Sequence, residues 1–189
     1  MGKVGNINID IIDTNEVYIF SMKLCDNEID CDNERFTIDS LHKLAKLFIG
    51  TTGSINIPIN HSALIRYGVD RTGKIYDCKI KTKDRTTSQG EIYTYLVVYA
   101  YIPITDNNQY VIEKIKHGTI KDISLACSIE KSTCNICGAD LVNSTCDHIQ
   151  GNIYSGVKCC KILDNPREVY EWSFTIKPLH KVKLRRITR

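Results

Sequence analysis

Three residues in separate segments have the chemistry of a hydrolytic serine site. His61 follows a short apolar segment, Ser124 lies 63 positions later in an alternating apolar run, and Glu171 lies near the C-terminal end. A serine hydroxyl is a weak nucleophile until a base within about 3 Å takes its proton, and a carboxylate can orient that base. We therefore predict Ser124 as nucleophile, His61 as general base and Glu171 as the orienting group, with Asp122 as an alternative for the third role.

The alternation of side chains along a strand gives Ser124 room for a substrate. Residues 123, 125, 127 and 129 are heavy and apolar, whereas residues 124, 126 and 128 are serine or alanine. Successive side chains of a strand point to opposite faces, so the small face would be accessible. The same rule places Glu171 beside Ser173 and opposite Tyr170, Trp172 and Phe174. An isolated strand serine is usually a plain surface residue, so the prediction depends on the three segments together.

A second group of residues has the spacing of a metal site. Of the nine cysteines, five lie between positions 134 and 160. A C-x2-C-x8-C-x-H pattern is formed by Cys134, Cys137, Cys146 and His148. Zinc prefers four thiolate and imidazole ligands in a tetrahedron, so we predict one structural zinc, with Cys159 or Cys160 as alternatives to His148. No export signal is visible, which favours a reducing compartment, where clustered cysteines more often bind metal than form disulfides.

The hydrophobic pattern predicts many strands and two helices. The first helix would begin at Ser40 as N-cap and end at Gly50, and the second would begin at Asp106 and end at Gly118. Segments 25–35 and 81–90 are polar and are predicted as loops. Strands are predicted at 7–11, 17–20, 55–61, 75–80, 91–102, 120–129 and 169–176. This pattern indicates a mainly β fold with flanking helices (α+β), as a β-barrel or sandwich.

We divide the chain into three parts. Residues 1–130 and 166–180 form the predicted β-barrel domain, residues 131–165 an inserted cysteine-rich module, and residues 181–189 a basic tail. Six Lys or Arg and no acid lie between 177 and 189. Such a tail can contact nucleic acid or an acidic partner, although a solvated, disordered terminus is the alternative. No apolar run is long enough to span a bilayer, so we expect no membrane contact.

The three segments, taken in order, resemble the prohead (capsid maturation) proteases of tailed bacteriophages. The resemblance rests on His61 after an apolar strand, on GTIKDISLA at 118–126 after a helix, and on YEWSFTIKP at 170–178. It covers roughly residues 50–180. It implies a fold like that of the herpesvirus assemblins, a β-barrel with surrounding helices. In that family the third triad member varies, and some similar phage proteases carry a zinc-knuckle insertion.

The resemblance also implies a function and a place. The protein would be a serine endopeptidase enclosed in the immature capsid, in the cytoplasm of the bacterial host. Its substrates would be the scaffolding protein and the N-terminal segment of the major capsid protein, and usually the protease itself. Self-association in the assemblin group allows a homodimer. The alternative from a different class is a non-enzymatic, zinc-stabilised binding module of the phage head that contacts nucleic acid or capsid protein through its basic tail.

Overall fold

The computed structural model describes residues 16–55, 73–120, 122–175 and 184–186, and it is mainly β with two helices. The predicted fold class is confirmed. The strands are β1 Val17–Asp26, β2 Glu34–Phe36, β3 Thr52–Ile55, β4 Gly73–Thr86, β5 Ile92–Pro103, β6 Asp122–Cys134, β7 Ile153–Tyr154, β8 Val157–Lys158, β9 Lys161–Thr175 and β10 Leu184–Arg186. The helices are α1 Ile38–Phe48 and α2 Asp106–Lys116. Among the described residues, no helix combines the length and the apolar character needed to cross a membrane.

Eight of these strands form one sheet that curls into a half-barrel. The order is β10-β1-β5-β4-β3-β9-β2, and β6 also pairs with β9. Strand β9 is the junction, because β2 and β3 run parallel to its two ends while β6 runs antiparallel along its length. Large apolar side chains from most of these strands and from α1 pack together in the core, including Phe20, Phe48, Ile75, Leu96 and Trp172.

The N-caps of the two helices lie three residues and one residue before the predicted caps. In α1 the N-cap is Thr37, whose hydroxyl accepts the Ser40 N–H at 3.1 Å. The predicted cap, Ser40, is buried in the first turn, where its hydroxyl donates to the Leu163 carbonyl of β9 at 3.2 Å. In α2 the N-cap is Thr105, and Asp106 is the first helical residue. The helix ends are as predicted, since Gly50 and Gly118 follow them with positive φ, which favours glycine.

Several strands are longer than their apolar segments. The predicted loop 81–90 is wrong for its first half, because β4 continues to Thr86 through residues that are all exposed from position 81. Pairing with β5 and contacts between cations and tyrosine rings stabilise this end of the strand. It therefore forms a strand without the buried apolar side chains by which a strand is recognised in a sequence. Likewise β6 continues to Cys134, beyond the predicted end at 129, and β9 begins at Lys161, before the predicted start at 169. A register shift between Ser128 and Ile129 of β6 lies opposite Pro166 of β9.

A register shift changes the face of Tyr170. Trp172 and Phe174 are buried as predicted, each with 1% of its surface exposed, but Tyr170 is 57% exposed. The pairing moves from Ala126–Glu171 to Cys127–Val169, which leaves Tyr170 as the extra residue of a β-bulge. Val169 therefore packs against the core in the place that strict alternation assigns to Tyr170.

Trp172 lies flat against two glycines, and this packing predicts a severe effect of a single methyl group. A Cβ at Gly53 would lie 2.1 Å from Trp172 Cε2, and one at Gly73 would lie 2.7 Å from Cη2. We expect Gly53→Ala to lower the free energy of unfolding in urea by about 3 kcal/mol, at the upper end of overpacking costs. The Trp172→Leu background is the control, because a smaller side chain leaves space for the methyl group. An equal cost of Gly53→Ala in both backgrounds would contradict this packing.

Candidate functional site

The four residues of the predicted metal site come together. One potential ligand atom from each of Cys134, Cys137, Cys146 and His148 lies within 4.8 Å of the other three. Donors at the corners of a tetrahedron with bonds of about 2.3 Å would be about 3.8 Å apart, so a small closure would enclose an ion. This Cys3His cluster can hold a metal ion, as its sequence spacing indicated.

The turn after β6 prepares Cys134 as a ligand. Its sulfur accepts hydrogen bonds from the backbone N–H groups of Ile136 and Cys137. The turn closes through Gly138, whose N–H donates to the Cys134 carbonyl at 2.8 Å and whose φ of +71° favours glycine. Burial raises the pKa of the Cys134 thiol, but these amide hydrogen bonds and the neighbouring thiols outweigh it, and the net pKa is lowered. The geometry thus favours the thiolate that a metal requires.

His148, the last of the four residues, has a buried ring nitrogen, Nδ1, with which no described residue forms a hydrogen bond. Its ring lies edge-on to Tyr154, with centroids 4.7 Å apart, and the Tyr154 hydroxyl accepts the Ile149 N–H at 2.9 Å. The Cys146 sulfur accepts a hydrogen bond from the backbone N–H of His148. A buried imidazole nitrogen is costly unless something binds it, and a metal ion would satisfy it. The spacing of the ligands in the sequence did not indicate that Tyr154 would support His148.

The two alternative ligands have other neighbours. Cys159 lies against Cys134 but does not belong to the set of four mutually close atoms, and burial raises the pKa of its thiol to about 11. Cys160 is fully buried and contacts the Arg35 guanidinium. Burial raises the pKa of Cys160, and the lowering effect of Arg35 does not cancel it. His148 therefore fits the fourth position better, because its ring nitrogen belongs to the set of four mutually close donor atoms and neither of these sulfurs does.

Polar contacts tie the loop that carries the cluster to the sheet. Asn135 donates to Gln89 at 3.1 Å and to the Lys158 carbonyl at 2.9 Å, and it accepts the Cys160 N–H at 2.8 Å. The nearly buried Arg35 forms two hydrogen bonds to Glu91, at 2.7 and 2.9 Å. These long-range contacts could not be read from the sequence. The Asn135–Gln89 contact connects the loop between β6 and β9 to the β4–β5 turn, and the Arg35–Glu91 contacts connect β2 to the same turn.

The strands β6 and β9 bring two of the predicted catalytic residues onto the same face. Ser124 pairs with Ser173, and the next outward pair is Ala126 with Glu171. Their neighbours Ile123 and Trp172 are buried, so the serine and the carboxylate lie on the face that points away from the core. Both are half-buried. Asp122 is the first residue of β6, and His61 lies outside the described residues.

The strand that precedes His61 in the chain belongs to the same part of the sheet. Strand β3 ends at Ile55, six positions before His61, and it pairs with β9 in the register Ser54–Ser173. Ser54, Ser173 and Ser124 therefore form one row across three adjacent strands. The predicted strands at 7–11 and beyond Ile55 also lie outside the described residues, as do parts of the tail at 181–183 and 187–189.

Comparisons with known proteins give no relative: no family model, no curated protein and no solved structure matches this chain.

Proposed function

We propose that the protein is a serine endopeptidase in which Ser124 is the nucleophile. The observation that carries the proposal is the pairing of β6 with β9, which puts Ser124 and Glu171 on one outward face beside the strand that leads to His61. Ser173 and Ala126 surround the serine with small side chains, which leaves space for an extended peptide. A nucleophile on a rigid sheet has a well-defined direction of attack.

The roles of the residues follow from acyl-transfer chemistry. The Ser124 hydroxyl attacks the scissile carbonyl while His61 accepts its proton, and the peptide C–N bond then breaks as His61 protonates the leaving amine. Water attacks the resulting ester in the second half-reaction, again with His61 as base. Glu171 would orient the imidazole and stabilise its protonated form. Asp122, two residues before Ser124 on β6, remains the alternative for that role.

The resemblance of the three motifs to phage prohead proteases supplies the substrates of the proposal. The protease would act in the bacterial host, inside the immature capsid, on the scaffolding protein and on the N-terminal segment of the major capsid protein. Strand motifs at His61, Ser124 and Glu171 support this assignment, and the mainly β, half-barrel sheet agrees with it. The enclosed substrates would be at high local concentration, so modest affinity would suffice.

We further propose that the Cys3His cluster binds zinc and that this zinc is structural. Three thiolates and one imidazole are soft to borderline ligands, which suit Zn²⁺ among the common divalent ions. Four protein ligands complete a tetrahedron and leave no position for a water nucleophile. The cluster also lies at the far end of β6 from Ser124, ten residues along the strand. The metal would therefore stabilise the loop between β6 and β9 without taking part in peptide hydrolysis.

The test is co-expression with the capsid and scaffolding proteins of the parent phage. We expect wild-type protein to shorten both substrates, and Ser124→Ala to leave them at full length on a denaturing gel. Ser128→Ala is the matched control, because Ser128 lies on the same strand and its hydroxyl accepts a hydrogen bond from the backbone N–H of Glu168, away from Glu171 and the other proposed catalytic residues. Unchanged processing by Ser124→Ala would overturn the assignment, and so would equal loss in both variants.

A further inference from the structure

One face of the sheet carries a row of tyrosines on β5 and a neighbouring row of lysines on β4. We call it the tyrosine–lysine face; it consists of Tyr95, Tyr99 and Tyr101 on β5 and Lys79, Lys81 and Lys83 on β4. Pairs such as Lys81 with Tyr95 and Asp77 with Tyr99 place the two rows side by side. Val98 and Ile102, which adjoin Tyr99 and Tyr101 in the chain, are fully buried on the opposite face. The period-two pattern of the sequence therefore puts every member on the outward side.

The cations and rings are already in contact. The Lys79 ammonium lies 5.1 Å from the Tyr99 ring centroid, and that of Lys83 lies 5.8 Å from the Tyr95 centroid. The Tyr76 ring adds a further aromatic surface, 6.3 Å from Tyr99 and 6.4 Å from Tyr101. The rings are half-buried and the lysines from 79 to 83 are exposed. The face thus presents ring surfaces next to mobile positive charges.

Ion pairs on and around the tyrosine–lysine face involve only one of its three lysines, Lys79, among the described residues. Lys23 pairs with Asp26 at 2.6 Å, Lys79 with Asp77 at 3.4 Å, and Arg85 with Glu28 at 3.8 Å. Within the part of the chain that the structure describes, Lys81 and Lys83 form no ion pair with a carboxylate. Strand β10 lies beside β1 at the edge of the same sheet, with Arg185 in register with Ser21.

We propose that the tyrosine–lysine face binds single-stranded nucleic acid. Unpaired bases stack on aromatic rings regardless of sequence, and adjacent lysines neutralise the phosphates between them. A duplex keeps its bases stacked inside and cannot use the rings, so the face selects single strands. An acidic peptide would meet the same lysines but would gain nothing from a row of rings. The site is separate from Ser124 and Glu171, which lie on β6 and β9, so binding does not depend on peptidase activity.

The experiment measures binding of a fluorescein-labelled 20-residue oligo-dT by anisotropy, with Ser124→Ala full-length protein at 50 and 200 mM NaCl. Replacing Lys79, Lys81 and Lys83 with glutamine is expected to weaken binding at 50 mM at least about tenfold. It should also reduce the slope of log affinity against log salt by about 2, because each lost phosphate contact contributes about 0.7. Tyr99→Leu should weaken binding about tenfold and leave the salt slope unchanged, because stacking releases no counterions.

The matched control is a triple glutamine variant of Lys46, Lys116 and Lys158, which are exposed and lie outside this face. This variant should bind oligo-dT with an affinity within about threefold of that of the parent. In competition experiments with the parent protein, oligo-rU should displace oligo-dT as effectively as unlabelled oligo-dT does, whereas duplex DNA should compete at least tenfold less. The proposal is overturned by absence of binding at 50 mM salt, by equal losses in the two triple variants, or by an unaffected Tyr99→Leu. Equal competition by duplex or by polyglutamate would overturn it too.

Discussion

Cys137→Ala is expected to abolish zinc binding and to release the loop between β6 and β9. The loop between Cys134 and Cys160 contains only two short paired strands, β7 and β8, and exposes Val142, Ile149 and Ile153. It has too little apolar burial to be stable alone, and structural zinc contributes about 10 kcal/mol or more in small zinc domains. We expect wild-type protein, purified without chelator, to contain one zinc per chain by elemental analysis, and the variant to contain less than a tenth of that.

Hydrogen exchange should report the structural consequence. In Cys137→Ala, or in wild-type protein treated with a strong chelator, amides between 135 and 160 should lose protection while those of β5 keep it. Cys31→Ala is the matched control, since Cys31 is also an exposed cysteine but lies outside the cluster. His148→Ala and Cys159→Ala identify the fourth ligand. Full zinc retention in His148→Ala together with loss in Cys159→Ala would contradict the Cys3His assignment.

His61→Ala is expected to remove most of the reactivity of Ser124 toward an electrophile. A hydroxyl without its base loses nearly all its nucleophilicity, and residues that act as a unit are strongly non-additive. We therefore expect a loss of at least about 10³-fold for His61→Ala in the rate of modification by a fluorophosphonate. Glu171→Gln should retain more activity than His61→Ala, because an orienting carboxylate contributes less than the base. Asp122→Asn is the comparison that assigns the third role.

The Cys3His cluster could be predicted from sequence, whereas the residues that support it could not. Ligand identity and spacing are local properties, so Cys134, Cys137 and Cys146 stand out in a linear pattern. The contacts of Asn135 with Gln89, and of Arg35 with Cys160, join residues far apart in the chain. Only the path of the chain decides which of several buried cysteines lies beside a guanidinium.

The strands show the same difference between local and tertiary causes. Alternation located β5 and the buried side of β6, because one face of each is apolar. The exposed end of β4 has no apolar face, so its strand form depends on pairing with β5 and is invisible in a hydropathy pattern. The bulge at Tyr170 depends on a register shift against β6, which strict alternation cannot anticipate. The tyrosine–lysine face was missed for this reason, since two of its three lysines, Lys81 and Lys83, lie on the segment predicted as a loop.

The measurement that tests the central claim most directly is intact-mass spectrometry of the purified protein after treatment with a fluorophosphonate. In that reaction a serine oxygen forms a bond to phosphorus and fluoride leaves, so an activated serine gains one phosphonyl group. The account predicts a single adduct per chain, located on Ser124 by peptide mapping, absent in Ser124→Ala and strongly slowed in His61→Ala. Absence of an adduct on the wild-type protein, or an adduct that persists in Ser124→Ala, would contradict it.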